Sequence, residues 1–413
     1  MNKYKLNELG SLNRGKSKHR PRNDPGLYGG DFPFIQTGDV KHSPFYVTNH
    51  SQTYNEKGLQ QSKLWPAGTL CITIAANIAD TAILTYPACF PDSIIGFIPD
   101  CKKAATKYVK YLLDTFKLQM QAISQGTTQD NMSLEKLLSI EFPAPELETQ
   151  RKIAAILSAY DDLIENNKRR IALLENMAEE IYREWFVRFR FPGYQTTEFE
   201  KGIPKEWDRE NLGALCNVVK RGISPKYSDE SEFMVLNQKC IRNGQISLKE
   251  ARTHDSKVSE EKFIQYCDAL INSTGVGTLG RVSIVEFEPN QITVDSHVTI
   301  CRANPSKIDS CYLASTVAQL QQYFEYMASG STGQVELNKS LIESIKILIP
   351  DNDIQTEYRR VIEPIFEQKQ NLFSQIDQLA KTKNLLLPRL ISGKLSVEDL
   401  DIQFPPSMQD SDT

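Results

Sequence analysis

Gly126-Thr-Thr-Gln129 leads into Leu134-Glu-Lys-Leu-Leu-Ser-Ile-Glu-Phe-Pro143, and in the second half of the chain Gly330-Ser-Thr-Gly-Gln334 leads into Leu341-Ile-Glu-Ser-Ile-Lys-Ile-Leu-Ile-Pro350. After each passage comes a long segment with helical periodicity. Smaller echoes support a duplication: Leu9-Gly-Ser-Leu12 with Leu212-Gly-Ala-Leu215, Arg14-Gly15 with Arg221-Gly222, and Asp92-Ser93 with Asp295-Ser296. A chain ordered as globular head, long helix, globular head, long helix predicts two similar heads held apart by a rod. Such a molecule is bivalent before it is anything else.

The 413 residues hold ample material for two cores, and 40% apolar with 24% charged residues is the balance of an ordinary soluble globular protein. Met1-Asn-Lys-Tyr-Lys-Leu6 leads into no apolar segment, and no apolar run is long enough to span a bilayer, so a cytoplasmic protein with no membrane contact is expected. The eight cysteines are scattered singly, with no C-x-x-C pair and no zinc-ligand spacing to the five histidines. Buried reduced thiols and no metal site are therefore expected. A net charge of −4 excludes a coat of positive charge, but charge placement matters more than its sum. Arg14, Lys16, Lys18, His19, Arg20 and Arg22 follow one another with no acid among them, and the second half offers Lys220, Arg221 and Lys226 at the matching place.

The fold class expected is α+β: two similar β-rich α+β heads separated by two long antiparallel coiled-coil helices. The boundaries are 1–145 for the first head, 146–191 for the first helix, 192–350 for the second head, 351–393 for the second helix and 394–413 for a flexible tail. In the first head, strand-like runs at Phe32–Gln36, Gly68–Ile74 and Ser93–Ile98 alternate with turns, and a helix is predicted over Lys103–Lys117. The second head has strands at Ala269–Asn272, Arg281–Val285 and His297–Ile300, and a helix over Tyr312–Tyr326.

The first long helix carries an apolar seam stepping by fours and threes: Ile153, Leu157, Tyr160, Ile164, Asn167, Ile171, Leu174, Ala178, Ile181, Trp185. Asn167 at mid-seam is a residue type that sets register at some cost in stability. The helix would stop near Phe191-Pro-Gly193 after about 60 Å. The second seam reads Tyr358, Ile362, Ile365, Lys369, Leu372, Ile376, Leu379, Lys383, Leu386, Leu390, with capping oxygens at Asp351-Asn-Asp353 and a kink or an irregular turn expected at Pro364 and Pro388. Neither helix buries its seam alone, so antiparallel pairing is the simplest solution.

One motif is a decoy. Gly10-Ser-Leu-Asn-Arg-Gly-Lys-Ser17 matches the phosphate-loop pattern, yet Pro21, Pro25 and Gly26 forbid the helix that such a loop must open. No hydrolase elbow, zinc-protease motif, dinucleotide fingerprint or amino-methyltransferase loop is present. No catalytic residue and no cofactor is expected in this chain.

Several passages resemble the DNA specificity subunits of type I restriction–modification systems. They are Arg14-Gly-Lys-Ser17 with Tyr28-Gly-Gly-Asp-Phe-Pro-Phe-Ile-Gln-Thr-Gly-Asp-Val40, Leu147-Glu-Thr-Gln-Arg-Lys-Ile153, Gly202-Ile-Pro-Lys-Glu-Trp207, and Leu385-Leu-Leu-Pro-Arg-Leu-Ile-Ser-Gly-Lys-Leu395. The resemblance spans about 1–395 and includes the duplication. It implies that each head is a target-recognition domain reading one half of an interrupted site in double-stranded DNA. It also implies that the helices set the spacing and dock two methyltransferase subunits, which use S-adenosylmethionine to methylate adenine. Restriction subunits with ATP and Mg would join for cleavage.

The side chains expected on DNA are Arg14, Lys16, Ser17, Lys18, Arg20, Gln36, Thr37, Thr127, Thr128 and Gln129 in the first head. In the second they are Lys220, Arg221, Ser224, Lys226, Asn237, Lys239, Ser331, Thr332 and Gln334. Cations and hydroxyls on loops suit phosphates, while amides read base edges. Asn77 and Arg281 follow strands and read as plain surface residues. The partner-docking candidates are Arg169, Arg170, Glu179, Glu180 and Phe186, with Trp185 left to the seam. The competing reading is a non-DNA bivalent coiled-coil scaffold.

Overall fold

The computed structural model describes residues 1–124, 132–275, 277–329, 336–405 and 408. The chain divides into two compact units, Met1–Asn166 with Ile376–Thr413, and Asn167–Gln375. Each contains one head and a stretch of both long helices.

In the first unit a five-stranded sheet runs in the order Gly10–Arg14, Ile94–Pro99, Leu70–Thr73, Thr81–Leu84, Tyr46–Val47. A four-stranded sheet is built from Gln52–Tyr54, Tyr28–Phe34, Ala88–Cys89 and Leu64–Trp65. The Leu-Cys-Ile-Thr run of the central strand is buried on both faces, which is why it reads as continuous rather than alternating. Gly96 interrupts the strand Ile94–Pro99 because a Cβ there would sit 2.6 Å from the Trp65 ring. Asn2–Tyr4 pairs with Phe142–Ala144, clasping the start of the head to its end. The predicted helix appears as Thr106–Thr115, and a second, Lys117–Ser124, follows it.

The second unit repeats the plan. Its four-stranded sheet runs Cys216–Arg221, Val298–Ala303, Ala269–Asn272, Val282–Ile284, and Asp208–Asn211 clasps Lys346–Ile349. The helix expected over Tyr312–Tyr326 is split at Leu320 into Ser310–Gln319 and Gln321–Ser329. Registers define the equivalences. Arg14 faces Ile95 and Arg221 faces Thr299 on corresponding edge strands. The short helix before the edge strand is Leu6–Leu9 in one head and Leu212–Leu215 in the other, so the counterpart of Leu212–Leu215 lies three residues earlier than the Leu9–Leu12 echo. Likewise a Cβ on Gly15 would meet the Phe90 and Pro91 carbonyls, and one on Gly222 the Val294 and Asp295 carbonyls, which matches Pro91, not Asp92, to Asp295.

The first long helix covers Leu147–Tyr182 and ends in a π-turn, Arg183–Val187. The second covers Asn352–Ile391. It is continuous through Pro364 and Pro388, with no irregular turn at either, although each proline removes one helical hydrogen bond. Within the first unit, Ile153 and Leu157 share a core with Leu390 and Ile391, and Lys383 Nζ lies 2.6 Å from Asp161 Oδ1. Within the second, Asn167 Nδ2 donates to Gln375 Oε1 at 3.2 Å, Lys369 Nζ lies 3.5 Å from Glu175, and Tyr182 packs on Tyr358. In both units rising numbers on one helix meet falling numbers on the other, so the segments are antiparallel. Each polar pair joins one seam residue, Lys383, Asn167 or Lys369, to a residue beside the seam of the other helix, and such pairs favour one register, the role best attested for polar groups in coiled coils.

A buried glutamine ties each head to the helix that follows it. Gln150 Nε2 donates to the carbonyls of Lys103 and Pro145, and its Oε1 accepts from the Ala105 amide. Gln355 Nε2 donates to the Pro350 carbonyl, and its Oε1 accepts from the Asp309 amide.

Three expectations are corrected. Phe186 is 6% exposed, with its ring centroid 4.6 Å from Tyr312 and 4.9 Å from Tyr358, so it is core rather than a docking residue. Tyr182, one residue beyond the seam position Ile181, is already buried, and Phe186 follows it four residues on, while Trp185 stays half-buried. Cys267 and Cys311 form a disulfide between the turn before Ala269–Asn272 and the helix packed on it; Cys71, Cys89, Cys240 and Cys301 are buried thiols as expected, whereas Cys216 is half-buried and Cys101 exposed. The tail is packed over its described part: Val397 is 2% exposed in the first core, and Lys152 Nζ donates to the Glu398 carbonyl at 2.7 Å.

Candidate nucleic-acid interface

The first head's basic loop begins where strand Gly10–Arg14 ends. Gly15 donates its amide to the Ile94 carbonyl at 2.9 Å and Lys16 to the Phe90 carbonyl at 3.1 Å. Those are the amides a phosphate loop would present, so the nucleotide reading fails on geometry. Gly15 is required because a Cβ would lie 2.3 Å from two backbone oxygens. The loop is then tied down: Ser62 Oγ donates to the Lys16 carbonyl at 2.8 Å, and the Arg20 guanidinium donates to the Ser17 and His19 carbonyls. Ser17 is 6% exposed, so it is no surface contact. Arg22 pairs with Asp92 at 2.8 Å, and His19 with Asp24 at 2.8 Å. The Gly26 amide, and then His19, hold the Asp24 carboxyl below its usual range. Arg14, Lys16 and Lys18 remain exposed and form no ion pair with a described residue.

Gln36 is half-buried; its Nε2 donates to Gln52 Oε1 at 2.7 Å, and Thr37 opens the short helix Thr37–Lys41. Asn77 accepts from Lys41 Nζ at 3.1 Å and Arg281 donates to the Gly277 carbonyl at 2.7 Å, both local surface roles.

The second head differs in its charges. Lys220 Nζ lies 2.6 Å from Glu261 Oε2, and the ammonium holds the Glu261 carboxyl below its usual range. Arg221 pairs with Glu336 and donates to the Leu337 carbonyl at 3.1 Å. Asn237 is spent on a turn, with Oδ1 accepting from the Lys239 amide and Nδ2 donating to the Glu250 carbonyl. Ser224, Lys226 and Lys239 are exposed. The expectation missed Lys262 and Lys339, which line a cleft of about 420 Å³ together with Lys220 and Arg221. Their sequence separation gave no signal that they converge. Thr127, Thr128, Gln129, Ser331, Thr332 and Gln334 lie outside the described residues.

On the first long helix, Arg169 and Arg170 are exposed. Glu179 pairs with Arg183 at 2.6 Å, and Glu180 with Arg188 at 2.9 Å and Arg183 at 3.4 Å. Among the described residues no helix is long and apolar enough to cross a membrane, and no group of His, Cys, Asp or Glu is placed to hold a metal ion.

The family model for the type I restriction modification DNA specificity domain matches twice, over residues 1–176 and 204–381. The MjaIX specificity subunit of Methanocaldococcus jannaschii is 26% identical over 408 residues, covering 96% of this chain and 94% of that protein. The HindI specificity subunit of Haemophilus influenzae is 21% identical over 475 residues, covering 96% and 100%. The crystal structure of the type I restriction–modification S subunit from M. genitalium matches in fold with a TM-score of 0.62 at 15% identity, covering 94% of this chain and 95% of that one. With both heads matched and the duplicated plan in place, the chain belongs to the type I restriction–modification DNA specificity family, whose members are the non-catalytic recognition components of those systems.

Proposed function

We propose that each head reads one half of an interrupted site in double-stranded DNA, and that the antiparallel helices set the distance between the halves. The observation that carries this reading is the recurrence of one Arg-Gly strand end, Arg14-Gly15 and Arg221-Gly222, at the same edge of the same sheet in two heads of different loop sequence. A shared scaffold with unlike loops suits unlike half-sites. Register-locking pairs at Asp161–Lys383, Asn167–Gln375 and Glu175–Lys369 support a spacer of defined length.

In this reading the helices also dock two methyltransferase subunits, Arg169, Arg170, Glu179 and Glu180 lie on the docking faces, and restriction subunits join the assembly. S-adenosylmethionine, ATP and Mg belong to those partners, and the complex works in the cytoplasm. The test is adenine-methylation mapping of DNA from cells expressing the cognate methyltransferase with and without this chain. A two-part interrupted motif that needs the chain is the expected result. A stable complex that produces no such motif would replace the DNA-reading assignment with that of a protein scaffold.

A further inference from the structure

The two heads treat the same cations differently. In the second head, Lys220 is held by Glu261 at 2.6 Å, Arg221 by Glu336, and Lys339 by Glu343 at 3.3 Å. Lys262 Nζ donates to the Gly222 carbonyl at 2.7 Å, the carbonyl of the glycine that follows Arg221. All four cations border one cleft.

Among its described residues, the first head sets no carboxylate against Arg14. Leu64 faces Cys89 as Phe263 faces Thr293, which matches Ser62 to Glu261 and Lys63 to Lys262. Met132 donates its amide to the Ile74 carbonyl as Leu337 does to Ser273, which aligns Asn131 in the amino-acid sequence with Glu336, although residue 131 itself lies outside the described residues. Arg14, the counterpart of Arg221, is exposed and forms no ion pair with a described residue.

We propose that the cleft of Lys220, Arg221, Lys262 and Lys339 is a backbone-phosphate site that the protein keeps occupied with its own carboxylates, Glu261 and Glu336, until DNA displaces them. The inference rests on the reading of the heads as half-site readers. Exposed ion pairs are weak enough to exchange, so the mask does not close the site. It removes the sequence-independent gain instead: a phosphate entering the cleft replaces a carboxylate rather than meeting a bare cation. The second head therefore engages DNA where base contacts add to the exchange. The first head, unmasked, supplies the general affinity.

The test uses the chain assembled with its methyltransferase and three duplexes: both mapped half-sites intact, the second scrambled, or the first scrambled. Affinity is measured across a salt series. Glu261→Gln with Glu336→Gln should tighten binding to the duplex with the second half scrambled by about tenfold at low salt, and steepen the salt dependence by about 1 to 2 in log–log slope, the effect of one or two added phosphate contacts. Discrimination at the second half-site falls accordingly. Ser62→Glu should do the reverse to the first head, weakening binding to all three duplexes. Glu261→Gln alone, at a carboxylate on the surface, carries part of the gain if the double variant misfolds. A folded double variant with wild-type affinities and slope overturns the proposal. A wild-type complex that binds the three duplexes equally overturns the half-site reading itself.

Discussion

Lys369→Met should be severely destabilising although it replaces a charge with an apolar side chain at a helix seam. Lys369 is 3% exposed, and its Nζ lies 2.8 Å from Glu286 Oε1 and 3.5 Å from Glu175 Oε1. The Glu286 side chain is 9% exposed; burial pushes its carboxyl above the usual range, and Lys369 pulls it back. Removing the lysine leaves that carboxylate buried without a counter-charge, a loss of about 3–5 kcal/mol. Methionine keeps the stem volume, so little of the loss is cavity. Glu175 is one-third exposed and contributes little to it.

Adding Glu286→Gln removes both charges and should bring the cost to within about 1 kcal/mol of wild type. The pH dependence follows from the direction of the shift. A carboxyl whose folded pKa lies above its unfolded value stabilises the fold below the unfolded pKa, and that contribution is lost as pH rises through the folded value. Without Lys369 the folded value rises further, so the deficit of Lys369→Met should be largest at pH 7 and shrink toward pH 5. Urea unfolding followed by tryptophan fluorescence, run as a double-mutant cycle at both pH values, reads all of this. A single variant within about 1 kcal/mol of wild type at pH 7, or a deficit that Glu286→Gln does not relieve, refutes the reasoning.

Gln150→Ala strands two carbonyls and an amide at the first head's junction and should cost about 2–4 kcal/mol in urea unfolding, with Gln355→Ala close behind because it loses one bond fewer. Arg14→Ala should weaken DNA binding uniformly across sequences and lower the salt slope by about 1, whereas Arg221→Ala, already ion-paired, should change the slope less; a filter-binding salt titration of the assembled complex separates them. Reducing Cys267–Cys311, which closes 44 residues of chain, should lower the stability of the second head by roughly 4 kcal/mol, read as a drop in its Tm with reductant that Cys267→Ser with Cys311→Ser abolishes.

The duplication, the strand and helix order, both helix seams and the Arg-Gly strand ends were legible in the amino-acid sequence, because each is a periodicity or a local spacing that needs no knowledge of distant residues. The phosphate-loop decoy was rejected from Pro21, Pro25 and Gly26 on the same local grounds, and the structure adds that the Gly15 and Lys16 amides are already bonded. Where the sequence reading failed, a long-range or register effect decided the outcome. Phe186 and not Trp185 turned inward because the buried face has moved one residue beyond the seam by Tyr182, which a seam counted in fours and threes does not foresee. Val397 found a core although its neighbours read as a disordered tail.

The charge state of the candidate DNA surface belongs to the second class. Lys220 and Glu261 are 41 residues apart, and Arg221 meets Glu336 across most of the head. A sequence window counts the cations of a loop, and that count gives the second head fewer of them without saying which are paired. Only sheet closure brings the acids in, because an ion pair depends on a distance of a few ångströms that chain spacing does not determine. The sequence by itself determined that there are two heads on paired helices; the tertiary structure decided which of their cations stand free.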